Sequence, residues 1–230
     1  MIYYLIVGIT FTISIIVSKI LKDKFQIYSE CKLQNNMSGK EIAEKMLSDC
    51  GIYDVEVISI EGFLTDYYDP INKTVNLSEK VYYENTAASA SVAAHECGHA
   101  LQHKHGYNML KLRNYLIPFL NFSSRFTSLL IISGLTVFYS SGGKSSILLK
   151  MGLCFFFLAV LFSFVTLPIE FDASKRALNW LKEKNIVSYQ EYDQAKDSLK
   201  WASMTYIISA MGSLVQFIYF LSVLNRKEED

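Results

Sequence analysis

The stretch AHECGHA, residues 94–100, sets His95 and His99 four positions apart, with Glu96 directly after the first. In an α-helix, positions four apart differ by about 40° in azimuth and sit one turn above each other. Both imidazoles then project side by side and can bind one ion. Glu96 points about 100° round from His95. It does not easily ligate the same ion, but it can reach a water bound to it. That is the physical content of the HExxH pattern: two ligands plus a general base. Zinc held there lowers the pKa of bound water to ~7 and polarises a scissile carbonyl. Glu96 takes the water proton and can hand it to a leaving amine. Cys97, Gly98 and Ala100 are small and leave room for close packing or for a substrate.

A catalytic zinc site needs a third protein ligand and an open position. His103 lies one turn beyond His99, and a straight helix carries it away along the axis. His105 has the spacing of the third ligand in HExxHxxGxxH. That pattern needs a glycine where Gln102 stands, so that the chain can turn back to the metal. The remaining candidate is Glu170, or its neighbour Asp172, in LPIEFDASKRAL (167–178). A carboxylate at the exit of an apolar run is costly unless paired or functional. Glu170 and Ser174 share one helical face and Asp172 lies on another, which favours Glu170 and leaves Asp172 as the alternative.

These residues need elements to hold them. After Asn85 and Thr86, either able to cap, the alanine-rich run 87–105 predicts the helix that carries both histidines. Upstream, Ser38 with Glu41 forms a capping box for a short helix over 38–51, with Ile42, Ala43, Met46 and Leu47 as its apolar stripe and Gly51 as its stop. YDVEVISI (53–60) alternates as a half-buried strand does, and TVNLS (74–78) reads as a second strand after the turn YDPINK (68–73). GFLTDYYDP (62–70) could supply an edge along which an extended peptide aligns. Tyr82 and Tyr83 are candidates to help hold an oxyanion. A second capping box, Ser188 with Glu191, starts a helix that continues into the last apolar run.

Four stretches carry no charge: 2–18, 126–143, 151–169 and 201–225. About 20 apolar residues cross the hydrocarbon core, so all four can span. The second is the shortest, because SSGG (140–143) signals a turn. The first reads as a retained anchor, since Lys19, Lys22 and Lys24 follow it and no small-x-small site does. Lys104, Lys111, Arg113 and Arg125 precede the second run, with no acidic residue between 101 and 125. By the positive-inside tendency residues 22–125 and 170–200 face the cytoplasm. The resulting reading is a multi-pass plasma-membrane protein, divided into an anchor (1–21), a core with the HExxH helix (22–125), a transmembrane hairpin (126–169), a third-ligand segment (170–200) and a C-terminal span with its tail (201–230).

Composition adds exclusions. Lys+Arg and Asp+Glu are both 22, so charge gives no sign of a nucleic-acid partner. Cys31, Cys50, Cys97 and Cys154 form no close CxxC pair, which argues against a structural zinc knot or a disulfide framework.

HECGHALQH followed by GYNMLKLRNYLIP, together with EGFLTDYYDPINKTVNLS and LPIEFDASKRALNWL, resembles the bacterial membrane-bound neutral zinc metallopeptidases, the YugP-like family. The layout is also similar to HtpX-type and CAAX-processing membrane gluzincins, which pair a HExxH helix with a later Glu from an ExxxD helix. The resemblance implies His95, His99 and Glu170 as zinc ligands, Glu96 as base and about one zinc per chain. The gluzincin Asp that orients a ligand histidine falls at Ser174 here. A serine holds that place more weakly, and Asp172 is the other residue that could take it. The implied fold is an α+β membrane protein, predominantly helical, with about four transmembrane helices and a two- or three-stranded sheet beside the HExxH helix, in a gluzincin-like core. The implied activity is proteolysis at or near the membrane, read as an endopeptidase with a peptide or membrane-protein substrate and the lipid bilayer as its partners. The competing reading is a metal-binding scaffold or regulator without turnover. The sequence leaves the oligomeric state open.

Overall fold

The computed structural model describes residues 2–226. Seven helices and three strands follow in the order α1 (Ile2–Tyr28), α2 (Gly39–Asp49), β1 (Glu56–Ile60), β2 (Tyr67–Asp69), β3 (Thr74–Ser78), α3 (Glu79–Tyr83), α4 (Ala87–Lys104), α5 (Asn108–Ser140), α6 (Ile147–Glu183) and α7 (Tyr189–Arg226). The protein is largely helical, with a small mixed sheet. Its described residues divide into two compact units, one of residues 16–110 and 168–205, the other of residues 2–15, 111–167 and 206–226.

The first unit holds the chemistry. Its sheet has the order β1-β3-β2, with β1 parallel and β2 antiparallel to the central β3. Val75 and Leu77 on β3 are fully buried, and Val57 joins them from β1. The first strand is shorter than the alternation at 53–60 suggests. Tyr53 is exposed and Asp54 is drawn into an ion pair with Lys73 at 2.6 Å. The turn begins later than expected, because Tyr67–Asp69 pairs as a strand. Asp69 then closes the turn by accepting from the Ile71 and Asn72 amides at 2.8 and 3.1 Å.

The predicted caps appear as local chemistry. Ser38 and Glu41 bond reciprocally at the start of α2. Ser188 and Glu191 do the same before α7. Of the two candidate caps for α4, Thr86 accepts from the Ser89 amide at 3.2 Å. The alanine-rich face of α4 packs against α2 and the sheet, with Ala87, Ala88, Ala90, Ala93, Ala94 and Cys97 buried. On another side α4 meets α6 so closely that a Cβ at Gly98 would lie 2.6 Å from the Ala173 carbonyl oxygen. Only the absence of a side chain at Gly98 permits that approach.

The second unit is made of apolar helix. Four helices of the described chain are long and apolar enough to cross a membrane: Tyr3–Tyr28, Asn108–Ser140, Ile147–Glu183 and Tyr189–Asn225. Helix α5 starts well before its uncharged run and continues through Pro118. SSGG ends it as a turn, with Gly142 and Gly143 at φ +65° and +93°. The α5–α6 hairpin is tight. A Cβ at Gly134 would lie 2.6 Å from the Leu149 nitrogen, and one at Gly152 3.0 Å from the Ile131 nitrogen. Phe138, Leu149 and Leu153 of the hairpin cluster with Phe220 and Leu224 of α7. Leu5, Leu129 and Ile132 stay about two-thirds exposed. Apolar faces of that kind are unfavourable in water and suited to lipid.

Candidate metal centre

Helix α4 presents His95 and His99 from one face, with ring centroids 4.8 Å apart and planes at 84°. Helix α6 continues past Pro168 and brings Glu170 to the same place. Its Oε2 lies 3.3 Å from His95 Nε2 and 3.7 Å from His99 Nε2. The three donor atoms fall within 4.8 Å of one another. The Glu170 side chain is 5% exposed, the two histidines 13% and 12%.

Hydrogen bonding fixes which nitrogen of His99 faces the centre. Gln102 Nε2 donates to the Ile169 carbonyl at 2.7 Å and to Asp172 Oδ2 at 2.9 Å, and both partners are pure acceptors. The amide orientation is thereby set, and Gln102 Oε1 faces His99 Nδ1 at 3.1 Å. An amide oxygen only accepts, so His99 carries a proton on Nδ1, and the neutral ring keeps its lone pair on Nε2. His95 Nδ1 lies 3.1 Å from Ser174 Oγ, which can accept in the same way.

The donor set fits a zinc ion. Glu170 Oε2 is buried without a hydrogen-bond partner, although two imidazole nitrogens stand beside it. A buried carboxylate oxygen facing lone pairs is unfavourable unless a cation lies between them. Donor atoms on a tetrahedral zinc, each about 2.0–2.2 Å from the metal, stand roughly 3.3 Å from one another. The two carboxylate–imidazole spacings, 3.3 and 3.7 Å, equal or slightly exceed that value. Two imidazoles and one carboxylate make a three-donor set, which leaves a fourth position open.

Glu96, the next residue on α4, is buried. Burial pushes its carboxyl above the usual carboxylate range, helped by the nearby Glu170 and Asp66 and opposed by the two histidines. Asp66, just before β2, accepts from the Ser78 amide at 2.7 Å and from its hydroxyl at 3.0 Å.

The other sequence candidates lie elsewhere. His103 Nδ1 is 2.9 Å from the Tyr68 hydroxyl, which ties β2 to the end of α4. His105 Nδ1 is 3.3 Å from Arg176 Nη1. Asp172 receives Arg176 Nε at 2.6 Å as well as Gln102 and stands outside the donor cluster. Tyr82 and Tyr83 pack on each other, with Lys40 above the Tyr82 ring. Gln102 is the residue that the motif reading passed over. A fully buried glutamine three positions after His99 is a neighbour on the same helical face, and that spacing was its signal.

Comparison with known proteins identifies the family. The family described as "Putative neutral zinc metallopeptidase" matches residues 3–225. The chain is 36% identical over 211 residues to the "Putative membrane protease YugP" of Bacillus subtilis (strain 168), covering 91% of each. No solved structure matches it. With nearly its whole length matched, the chain belongs to the family of neutral zinc metallopeptidases described in those words.

Proposed function

We propose that the protein is an integral-membrane zinc endopeptidase of gluzincin type, with His95, His99 and Glu170 holding one zinc and Glu96 as general base. The observation that carries this reading is the unpartnered, buried Glu170 Oε2 beside two Nε2 atoms. Family membership and the membrane-protease relative support it. Bound zinc supplies Lewis acidity, lowering the pKa of water to ~7 and polarising the substrate carbonyl. The chain's own residues do the rest. Glu96 takes the proton of the attacking water and delivers it to the departing amine, and its raised affinity for protons suits that transfer. Gln102 and Ser174 hold the two imidazoles in orientation. The free edge of β2, beside α4, offers main-chain groups to an extended substrate.

We place the site on the cytoplasmic side of the plasma membrane. The support is the run of basic residues Lys104, Lys111, Arg113 and Arg125 without an acidic residue between 101 and 125. A cysteine introduced at Asn72 or at Ser141 should distinguish the two faces by impermeant maleimide labelling of whole cells. Labelling is expected at 141 and blocked at 72; the reverse pattern overturns the orientation. The activity is tested with the purified full chain on casein. Glu96→Gln should retain zinc and lose cleavage by about 10²–10⁴-fold. Undiminished cleavage would exclude Glu96 as the base.

A further inference from the structure

In the unit that carries the chemistry, α6 and α7 enclose a groove of about 350 Å³ between residues 171–179 and 192–204. Phe171, Leu199 and Met204 form its apolar part, and Lys175, Lys196 and Lys200 rim it. No acidic side chain lines it. Three carboxylates on these stretches of the two helices are bonded elsewhere, while Asp193 is exposed on α7 a turn before Lys196. Asp172 is taken by Arg176 and Gln102, Asp197 by Lys24 and Tyr28, and Glu191 by the Ser188 and Gln34 amides. The three lysines are exposed and make no ion pair among the described residues. His95, His99 and Glu170 do not line the groove, whereas Ser174, which meets His95 Nδ1 at 3.1 Å, does.

Its place along the chain gives the ligand class. The uncharged run of α6 ends at Ile169 and that of α7 begins at Trp201. Phe171 and Met204 therefore lie at the ends of the apolar runs, and the lysines follow within about two turns. An apolar slot that opens into three unpaired cations where two spanning helices emerge is complementary to an amphiphile with an anionic head. Basic pockets between transmembrane helices bind lipid phosphates by this physics.

We infer that this groove binds an anionic phospholipid, with the headgroup phosphate among Lys175, Lys196 and Lys200 and the start of an acyl chain against Phe171 and Met204. A free phosphate would engage the lysines but gain nothing from the apolar end, and the lipid is the ligand that uses both. The site needs neither zinc nor peptidase activity.

The test is native mass spectrometry of the full chain in neutral detergent, titrated separately with phosphatidylglycerol, phosphatidylcholine and inorganic phosphate. Phosphatidylglycerol should be retained in preference to phosphatidylcholine. A K175Q/K196Q/K200Q variant should weaken that retention on the order of a hundredfold, at roughly fivefold per lysine, and leave phosphatidylcholine unchanged. The charge-preserving K175R/K196R/K200R variant should keep it, which separates loss of charge from loss of fold. A control K40Q/K45Q/K73Q variant should bind as the parent does. Equal retention of the two lipids, an equal loss in the control variant, or displacement of the lipid by inorganic phosphate at comparable concentration would overturn the assignment.

Discussion

His99 Nδ1 donates because Gln102 has no freedom to present anything but its oxygen, its NH2 group being held by Ile169 O and Asp172. The affinity of the proposed centre for zinc should therefore depend on a residue that would touch no metal. Gln102→Ala should leave the fold in place and weaken zinc binding 10–100-fold, the usual cost of removing such a partner. Competition with a fluorescent chelator measures it, and unchanged affinity would show that the His99 orientation is set elsewhere. Ser174 is the weaker counterpart on His95. The pairing of His95 and His99 was legible in the sequence, because i and i+4 on a helix leave no ambiguity of direction. The choice between Glu170 and Asp172 was harder. It depends on which way a face of α6 turns after Pro168, and local spacing alone does not fix that.

At the scale of elements, the centre is a crossing of two helices. Gly98 lies between the two histidines of α4 and meets the Ala173 carbonyl of α6, one turn beyond Glu170. A side chain at 98 must push α6 away, and Glu170 moves with it. Gly98→Val should lower zinc content sharply while the capped α2 and the sheet remain, as read by metal analysis beside circular dichroism. Full zinc occupancy in that variant would show that the close approach is dispensable. The elements around the crossing were readable where side chains cap or turn the backbone, as at Ser38, Thr86, Asp69 and Ser188. What local pattern could not give was pairing. The parallel register of β1 on β3, Val57 against Val75, is decided by packing on α4 and α2, not by either strand's own sequence.

On the scale of the whole molecule, uncharged runs announce four helices long and apolar enough to span a membrane, and hydropathy is enough for that because lipid satisfies no backbone polar group. Hydropathy did not show that α5 begins at Asn108, since polar residues outside the hydrocarbon leave a helix free to continue. The long α6 joins an apolar run to the residue that completes the donor set. Bound metal should stabilise the chemistry-bearing unit by mass action. Chelation should thus lower its unfolding temperature, and added zinc should restore it. The most direct test of the central claim is zinc-edge X-ray absorption on the purified full chain and on its Glu170→Gln variant. The account predicts a shell of nitrogen and oxygen at about 2.0–2.2 Å with two imidazoles and no sulfur, altered and weakened when Glu170 is replaced. A sulfur ligand from one of the free cysteines, or a spectrum and zinc content untouched by the loss of Glu170, would contradict it.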